Sequence, residues 1–485
     1  MHVLQGMEPK KVFEFFEEIS QIPHGSGNTA QIAAYCMDFA KQRGLQSIHD
    51  AGGNVIIYAP GTEGYENSEP IIIQGHMDMV CEKTPDCKKN METEGIDLVT
   101  DGSYVWAERT TLGGDDGIAL AYIFALLDSD DIPHPPIEAL ITRDEETGMY
   151  GAMEFEPSVV SGTKILNIDS EEEGILTVSC AGGITAHCVF KLHPQEYSPS
   201  YEYEISVTGL LGGHSGADIG KGRLNAFKML SKPLEHIFDC YFGTISGGGK
   251  MNVIPQNASI IIGSDEDKLD EFEQIVNLCN DKNYGGETDS GLLFSVKKIN
   301  TQGELKYIKN KCYLQYIKDF LEFFPTGVQS MSESIDGMVE TSLNMGVLEH
   351  NGTLLSCDFL IRSNTESGKE SVIEVVRKFT ESIGNEINFV EMTLSGDYPS
   401  WEYRQDSPLR ELMVEVFEEQ YGRKPEVSGI HAGLECGVFA KKIHNADIVS
   451  IGPDIADIHT PNEHLDVASA ARVWEYVKEI LRRSR

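Results

Sequence analysis

The sequence predicts an α/β protein in which a mostly parallel mixed sheet is assembled from both ends of the chain, with an α+β layer inserted between them. Strands alternate with helices in residues 1–182 and again in residues 397–485, and this alternation is typical of a parallel sheet covered by helices. Residues 183–396 show a different order of strands and helices, with a hairpin signal. A chain of 485 residues is also long enough to need more than one core.

Both ends of the chain carry the periodicities that this architecture needs. Apolar residues at helical spacing predict two amino-terminal helices, through Val12, Phe15, Phe16 and Ile19 and through Ile32, Tyr35, Cys36 and Phe39, the second ending at Gly44. Apolar runs predict strands over 54–60, 70–76, 137–142, 164–168 and 448–452. Further helices are predicted over 117–128 and 467–483.

The inserted segment is predicted to form a separate α+β domain over residues 183–396. Strand alternation occupies 201–210 and 257–263, and helical spacing occupies 223–231, 269–279 and 371–383. Residues 341–363 form a hairpin candidate that turns at Asn351-Gly352, because Asn-Gly is the strongest short hairpin signal.

The composition argues against several kinds of partner. Lys and Arg number 39 against 77 Asp and Glu, and the resulting net charge of −38 repels phosphate backbones and anionic membranes. The amino-terminal residues lack the apolar core of a signal peptide, and no segment approaches the roughly 20 apolar residues that span a bilayer. Ten cysteines without a C-x-x-C pair indicate reduced thiols. We therefore predict a cytoplasmic protein that binds neither nucleic acid nor membranes.

Polar residues follow each apolar strand of the predicted outer sheet. They are His76 and Asp78 after "IIIQG", Asp115 and Asp116 in "LGGDDG", Glu145 and Glu146 after "IEALIT", Asp169 after "KILNI" and His459 after "IVSIGP". Each of these alone is most often part of a solvated turn. Because open α/β sheets bind ligands at the carboxyl ends of their strands, their shared position favours one common site.

Five of these residues have the composition of a two-metal centre. Two ions about 3.5–4 Å apart need a bridging carboxylate, and each also needs a His and a carboxylate of its own. The residues that supply this set are His76, Asp115, Glu146, Asp169 and His459, with Asp115 as the bridge. Nitrogen and oxygen ligands without thiolates favour Zn²⁺, and they also suit Co²⁺ or Mn²⁺.

Two acidic residues are left for supporting roles. Asp78 lies two residues beyond His76 on an extended segment, so it points to the same side and is placed to hold the imidazole. Glu145 is the candidate general base for the water between the metals, whose pKa is lowered by coordination to about 7.

These motifs resemble a known family. "GHMDM", "LGGDDG", "DEETG", "NIDSEEEG" and "IHTPNE" are similar to the dinuclear zinc peptidases that include carboxypeptidase G, aminoacylase and bacterial di- and tripeptidases. Within that family, "ERTTLGGDDGIALA", "CAGG", "GGHSG", "VETSLNMG" and "HAGLECG" resemble the aminoacyl-histidine (β-alanyl-histidine, carnosine) dipeptidases. The resemblance covers essentially the whole chain. It implies a zinc-exopeptidase-like catalytic domain, the same ligands and supporting acids, and a cis peptide bond after Asp115. Asp116 stands where the family commonly has Lys or Asn.

The resemblance also implies roles in the inserted domain. It makes His214 the residue that stabilises the oxyanion, and Asn252 and Arg362 the residues that bind the substrate and its carboxylate. His431 and Gly433 are further candidate substrate contacts, and Glu435 of the same motif is a possible one. The same domain is expected to act as a lid and to join two subunits in a homodimer. His214 then serves either its own active site or the partner's.

The predicted reaction is hydrolysis of a dipeptide such as β-alanyl-histidine by a metal-bridging hydroxide, with Glu145 passing the proton to the leaving amine. An N-acyl-amino-acid amidohydrolase or a tripeptidase of the same family is an alternative. A non-catalytic peptide-binding relative is another, although the presence of Glu145 and of every ligand argues against it. No G-x-S-x-G or H-E-x-x-H motif occurs, which argues against a serine hydrolase or a helix-borne zinc site.

Overall fold

A computed structural model describes residues 3–192 and 196–485 of the chain. The chain divides into two compact units. The first comprises Met1–Ser179, Trp401–Gly429 and Leu434–Arg485, and the second comprises Cys180–Ser400 and Ile430–Gly433.

The elements are numbered in chain order. The helices are α1 (Lys10–Ser20), α2 (Ala30–Gln42), α3 (Gly114–Leu127), α4 (Tyr150–Glu154), α5 (Ala226–Leu234), α6 (Leu269–Asp281), α7 (Cys312–Phe323), α8 (Glu366–Ile387), α9 (Pro408–Tyr421), α10 (Glu435–Lys442) and α11 (Val467–Arg483). The strands are β1 (Gln46–His49), β2 (Val55–Ala59), β3 (Ile71–His76), β4 (Leu98–Thr100), β5 (Tyr104–Ala107), β6 (Ile137–Thr142), β7 (Lys164–Asn167), β8 (Ile175–Cys180), β9 (Gly182–Lys191), β10 (Glu196–Tyr197), β11 (Tyr201–Thr208), β12 (Gly213–His214), β13 (Tyr241–Gly248), β14 (Val253–Ile254), β15 (Ala258–Ser264), β16 (Leu293–Ile299), β17 (Tyr307–Ile308), β18 (Gly327–Met331), β19 (Val339–His350), β20 (Leu354–Ser363), β21 (Phe389–Tyr398), β22 (Glu426–Ile430), β23 (Asp447–Ser450), β24 (Ile455–Ala456) and β25 (His464–Asp466).

The first unit is built on a mixed sheet with a parallel centre. Its strand order is β1-β2-β6-β3-β7-β23-β8-β22. The pairs β6–β3, β3–β7 and β7–β23 are parallel, whereas β1–β2, β2–β6 and β23–β8 are antiparallel. Four neighbouring strands therefore have their carboxyl ends at the same edge of the sheet, and the candidate site lies at that edge.

The central strands form because most of their residues are apolar and suit burial on both faces. Every residue of β3 and of β6 is buried, as expected for strands covered by helices on both sides. Helix α3 is apolar nearly all round and buried from Gly117 to Leu126. Its Phe124 ring packs 4.5 Å from the ring of Phe39 and 5.9 Å from that of Phe15, measured between centroids, which joins α3 to α1 and α2.

The second unit is an antiparallel sheet with helices α5 to α8. The sheet has 11 strands, and its main path runs β16-β11-β15-β13-β19-β20-β9-β21. One hydrophobic core joins strand residues such as Phe190, Phe242 and Phe359 to helix residues such as Phe227 and Phe320. The unit is therefore an α+β layer with its own core.

The predicted fold class is confirmed: a mixed, centrally parallel sheet, together with a second α+β unit. The predicted hairpin forms as β19 and β20, with Asn351 accepting a hydrogen bond from the backbone of Leu354. Helix α5 begins later than its apolar pattern suggests, because Asn225 caps it by accepting from the Phe227 amide. Several elements were not predicted, among them helices α4, α7, α9 and α10 and strands β9, β13, β16 and β21.

Two further observations concern membrane-spanning helices and disulfide bonds. Among the residues described, no helix is both long enough and apolar enough to cross a membrane. The described cysteines form no disulfide.

Candidate metal centre

His76 ends strand β3 and is almost fully buried, with 1% of its surface exposed. Its Nδ1 lies 3.0 Å from the backbone oxygen of Asp78, so this nitrogen carries a proton and donates it. The opposite nitrogen, Nε2, faces Asp115 Oδ1 at 3.0 Å and Asp169 Oδ1 at 3.4 Å. The hydrogen bond to Asp78 thus turns the Nε2 edge of the ring toward two carboxylates.

Asp115 lies between two imidazoles. Its Oδ1 is 3.0 Å from His76 Nε2, and its Oδ2 is 3.1 Å from His459 Nε2. Gly113 precedes it with φ of +68°, a left-handed conformation that glycine adopts without strain. The peptide bond between Asp115 and Asp116 is cis, as the resemblance implies. One carboxylate that presents an oxygen to each of two imidazoles has the geometry of a bridge.

Asp116 has a different environment. Its Oδ2 accepts a hydrogen bond from the backbone nitrogen of His76 at 3.1 Å, and only 2% of the residue is exposed. This approach requires Gly75, since a Cβ there would lie 2.6 Å from Asp116 Oδ2 and 2.6 Å from the Ala119 methyl. Asp116 therefore helps to fix the end of β3, and it faces only one of the two imidazoles.

His459 and Glu146 complete the group on the far side of Asp115. His459 Nε2 lies 2.9 Å from Glu146 Oε1. The backbone of His459 has φ of +60°, an unfavourable value for a residue with a side chain, and it follows Asp457 at +53°. Strained backbone of this kind is concentrated at functional sites.

Asp169 lies two residues beyond the end of β7, beside His76. Its Oδ1 is the atom that faces the imidazole. Its Oδ2 is buried and has no hydrogen-bond partner within residues 3–192 and 196–485. A buried carboxylate oxygen without a partner is costly.

Asp78 ties His76 to the turn that carries Glu145 and Glu146. Its carboxylate accepts from the amide of Glu145 at 3.0 Å, from the amide of Glu146 at 3.4 Å and from the Ser26 hydroxyl at 2.8 Å. The same carboxylate lies 3.5 Å from His76 Nδ1. The sequence predicted that this carboxylate holds the imidazole, and the structure adds that the Asp78 backbone oxygen makes the shorter contact.

The concentration of acids changes the pKa values in the centre. Burial, followed by the charge of Asp169, raises the pKa of Glu145 well above its usual range. Burial also raises the pKa of Asp169, to about 6. The contacts with Asp115 and Glu146 raise the pKa of His459 to about 10. The buried carboxylates thus favour a positive charge among them, and a divalent cation would supply it.

Glu463 is a functional candidate that the sequence analysis did not assign. Its Oε2 accepts from the amides of Leu112 at 2.8 Å and Gly113 at 3.2 Å, and its Oε1 accepts from those of Gly114 at 2.8 Å and Asp115 at 3.4 Å. The carboxylate is thus held by the four consecutive amides that lead into the bridging candidate. Its position in the motif "IHTPNE" was the available signal.

Replacing Glu463 with Ala is expected to weaken metal binding about 10- to 100-fold, the usual cost of losing a residue that orients a ligand. The four amides lose their acceptor, so the loop no longer fixes Asp115. Competition with a chromophoric chelator measures the dissociation constant. Asp466→Ala is the control, since the Asp466 side chain caps α11 through the Ser469 amide. Unchanged metal affinity in folded Glu463→Ala would contradict the role.

In the second unit, nitrogen atoms of His214 and Arg362 lie close together. His214 Nδ1 accepts from the amides of Gly216 at 3.3 Å and Ala217 at 3.1 Å, so the ring proton is on Nε2. That Nε2 lies 3.4 Å from Nη2 of Arg362, which also carries only protons to donate. The other guanidinium nitrogen, Nη1, donates to the Tyr398 hydroxyl at 2.7 Å. Burial, followed by the charge of Arg362, lowers the pKa of His214, which keeps it neutral. Two neighbouring donors fit an anionic acceptor such as a carboxylate.

The remaining predicted substrate residues have varied environments. Asn252 is exposed, and its backbone oxygen accepts from the Ser215 amide beside His214. Both ring nitrogens of His431 are already engaged, Nδ1 with Asn364 Oδ1 at 3.1 Å and Nε2 with the Ser342 hydroxyl at 2.7 Å. Gly433 is half-buried in the loop that precedes α10. Their role in substrate binding stays a prediction.

The donor set of the first unit fits a metal site. His76, Asp115 and Glu146 offer ligand atoms within 4.8 Å of one another, and so do His76, Asp116 and Asp169. Imidazole nitrogens and carboxylate oxygens without a thiolate suit Zn²⁺, Co²⁺ or Mn²⁺. The unpartnered Oδ2 of Asp169 is the kind of buried atom that a cation would satisfy.

Comparison with known proteins places the chain in a family. The model of peptidase family M20/M25/M40 matches residues 72–483. The chain is 33% identical to the cytosol non-specific dipeptidase of Escherichia coli strain K12, over 99% of each chain. It superposes on the crystal structure of aminoacylhistidine dipeptidase from Vibrio alginolyticus with a TM-score of 0.89 and 33% identity, covering 99% of this chain and 97% of that one. The aminopeptidase PepT of Bacillus cereus, at 17% identity and a TM-score of 0.57 over 99% of both chains, shares the fold.

The chain therefore belongs to peptidase family M20/M25/M40. The resemblance inferred from the motifs is confirmed, and so is the enzyme class, a hydrolase that acts on peptide bonds.

Proposed function

We propose that this peptidase is a metallo-dipeptidase whose preferred substrates are aminoacyl-histidine dipeptides such as β-alanyl-histidine. The observation that carries the proposal is the placement of Asp115, whose two oxygens face His76 and His459 within 3.1 Å. Residues 1–182 and 397–485 form the catalytic domain in this proposal, and residues 183–396 form a lid.

The metal centre would hold two divalent ions, and its nitrogen and oxygen donors favour Zn²⁺. His76 and Asp169 would hold one ion, His459 and Glu146 would hold the other, and Asp115 would be shared between them. Bound ions supply polarisation of the scissile carbonyl and a lower pKa for attacking water.

The residues of the chain handle the proton and the substrate charge. Glu145 takes the proton from the attacking water at its carboxylate and delivers it to the departing amine. Asp78 holds the His76 ring and the amide of Glu145 at the same time. The proposed base, Glu145, therefore keeps a fixed position relative to the proposed ligand, His76. His214 Nε2–H is a neutral donor suited to an oxyanion. Arg362 is the cation suited to the C-terminal carboxylate of a short peptide.

The substrate class is supported by the two relatives at 33% identity. One is named a non-specific dipeptidase and the other an aminoacylhistidine dipeptidase. Both names describe enzymes that act on dipeptides. In a dipeptide the residue that follows the scissile bond carries the free carboxylate. The alternatives in the same family, an N-acyl-amino-acid amidohydrolase or a tripeptidase, share the metal centre and differ in the substrate.

A substrate panel tests the proposal. The zinc-loaded protein is assayed on β-alanyl-histidine, alanyl-histidine, alanyl-alanine, a tripeptide and an N-acetyl amino acid. We expect the highest kcat/KM for the two histidine dipeptides. Equal cleavage of all dipeptides would replace the histidine preference with a broad dipeptidase. Cleavage of only the acetylated substrate would identify the protein as an N-acyl-amino-acid amidohydrolase. A protein that binds two metals and cleaves nothing would favour a peptide-binding relative.

Replacing Arg362 with Met is expected to lower kcat/KM for β-alanyl-histidine about 10- to 100-fold, mainly through KM. The lost interaction is a hydrogen-bonded ion pair, worth about 1.5–3 kcal/mol. The C-terminal amide of the same dipeptide, which has no carboxylate, provides the sharper comparison. Wild type should prefer the free acid, and the variant should lose that preference.

The matched control for Arg362→Met is Arg377→Met. Arg377 lies on α8 of the same unit, is half exposed and has an ion pair of 3.5 Å with Glu374. This control should keep the wild-type discrimination between acid and amide. If Arg362→Met also keeps it, Arg362 does not bind the carboxylate.

Two further parts of the proposal concern the cellular location and the oligomeric state of the enzyme. A cytoplasmic location is supported by the name of the Escherichia coli relative and by the lack of disulfides among the described cysteines. A homodimer joined through the lid rests on the motif resemblance, and size-exclusion chromatography with light scattering tests it.

A further inference from the structure

Glu435, the first residue of α10, is completely buried in the first unit, with 0% exposure. Its Oε2 accepts two short hydrogen bonds, from Gln74 Nε2 and from the Thr142 hydroxyl, both at 2.6 Å. Its Oε1 is buried and has no hydrogen-bond partner in the described part of the chain. A single carboxylate oxygen thus receives both donors, across 361 and 293 residues of sequence.

The partners of Glu435 sit just before the proposed ligands. Gln74 precedes His76 by two residues on β3, and Thr142 ends β6 immediately before the turn of Glu145 and Glu146. The side chain of Gln74 also accepts from Asn167 Nδ2 at 2.5 Å. Asn167 ends β7, two residues before Asp169. One network therefore joins the carboxyl ends of three neighbouring strands.

We propose that Glu435 is a positioning residue of the metal centre, which sets the relative position of the ends of β3, β6 and β7 and so the spacing of the ligands that follow them. This inference rests on the proposed metal-dependent function. Glu435 acts through Gln74 and Thr142 and contacts none of the proposed ligands itself.

The chemistry of the network explains why the residue is an acid. Asn167 donates to Gln74, and Gln74 and Thr142 both donate to Glu435, so the network needs an acceptor at its end. A carboxylate oxygen provides this acceptor. A Gln at this position would keep one accepting oxygen. Its amide group would then occupy the place of Oε1, where no described atom forms a hydrogen bond.

A structural role alone would favour an apolar residue here. Burying a carboxylate has a desolvation cost that hydrogen bonds only partly offset, and apolar replacement of buried charged groups is often stabilising. The position of the acid next to three ligand-bearing strand ends supports a role at the site. Glu138 provides the contrast, because it lies at the amino end of β6 and its carboxylate accepts from Ser161 and Gly162.

The test compares metal binding in Glu435→Ala, Glu435→Gln, Thr142→Val and Glu138→Ala. Chelator competition gives the Zn²⁺ dissociation constants, and the visible absorption of the Co²⁺ form reports ligand geometry. We expect Glu435→Ala to raise the dissociation constant about 10- to 100-fold and to change the Co²⁺ spectrum. Glu435→Gln and Thr142→Val, which each keep part of the network, should show smaller effects of the same kind. Glu138→Ala should lower Tm and leave both metal readouts unchanged.

The inference is overturned if folded Glu435→Ala has the wild-type dissociation constant and spectrum, or if Glu138→Ala disturbs the metal as much. If Glu435→Ala does not fold, Thr142→Val decides: wild-type metal binding in that variant overturns the inference, and weakened binding supports it. These readouts need no substrate. A wild type that binds metal and cleaves no dipeptide would refute the proposed activity and leave the role of Glu435 to be decided by the metal data.

Discussion

Glu145→Gln is expected to lower kcat for dipeptide hydrolysis about 10²- to 10⁴-fold while the metal content stays at the wild-type level. The loss is that of a general base, whose positioned proton transfer accounts for a factor of this size. The substitution should leave the site assembled, because Asp78 holds residue 145 through its backbone amide at 3.0 Å. Burial and the charge of Asp169 raise the pKa of Glu145, which suits a group that must take up a proton near neutral pH.

The measurement combines kcat and KM with the metal content of the same preparation by mass spectrometry. Glu154→Gln is the matched control, an acid nearby in sequence that is half exposed and lies 2.9 Å from Arg143. It should stay within about twofold of wild type, since an exposed ion pair contributes little. Loss of metal in Glu145→Gln would identify Glu145 as a ligand, and wild-type kcat would exclude it as the base.

The parallel centre of the fold could be predicted because buried strands have a simple pattern. Every residue of β3 and β6 is buried, and their apolar runs are visible in the sequence. Strand β21 escaped prediction because it is polar and largely exposed, pairing with β9 only. Helix α7 did carry a readable signal, since Leu314, Ile317, Phe320 and Leu321 are buried at helical spacing.

The other proposed ligands could be found because they follow strands in the sequence, whereas Asp115 was found between glycines just before helix α3. The order of the strands in the sheet could not be predicted. The chain makes β3, β6, β7 and β23 in that order, whereas the sheet places β3 between β6 and β7. Parallel strands that are adjacent in any order bring their carboxyl ends together. The convergence of His76 and Glu146 therefore does not depend on the strand order, which the sequence leaves open. Asp115 joins them from the amino end of α3, within 4.8 Å.

The acids that support the site could not be assigned from sequence. Glu435 and Glu463 are 0% and 2% exposed, yet their sequence neighbours include polar and charged residues, as those of surface acids do. Their partners lie more than 290 residues away, so the motifs that contain these two acids do not show which residues they contact. Asp116 was visible in the motif "LGGDDG", but its support of His76 was not, because that role depends on a hydrogen bond from the His76 amide across 40 residues.

Asp115→Ala is expected to abolish hydrolysis and to remove both metals, whereas His459→Ala should remove one of them. Asp115 presents one oxygen to each imidazole, at 3.0 and 3.1 Å, so its loss takes a ligand from both ions at once. His459 lies on the Glu146 side, 2.9 Å from that carboxylate, and Asp169 lies on the His76 side. The metal content of dialysed protein, with the affinity of each site by chelator competition, measures this difference.

The neighbouring aspartate provides the control that decides which residue bridges. Asp116→Asn keeps an oxygen that can accept from the His76 amide, as Oδ2 of Asp116 does at 3.1 Å, so it should keep both ions. The opposite result, with two ions in Asp115→Ala and fewer in Asp116→Asn, would assign the bridge to Asp116 and its contact with His76 and Asp169. A loss of one ion in each variant would mean that neither aspartate bridges and that the two sites are independent. A bridging ligand couples two sites, so only its removal empties both, and the stoichiometry separates these arrangements without reference to activity.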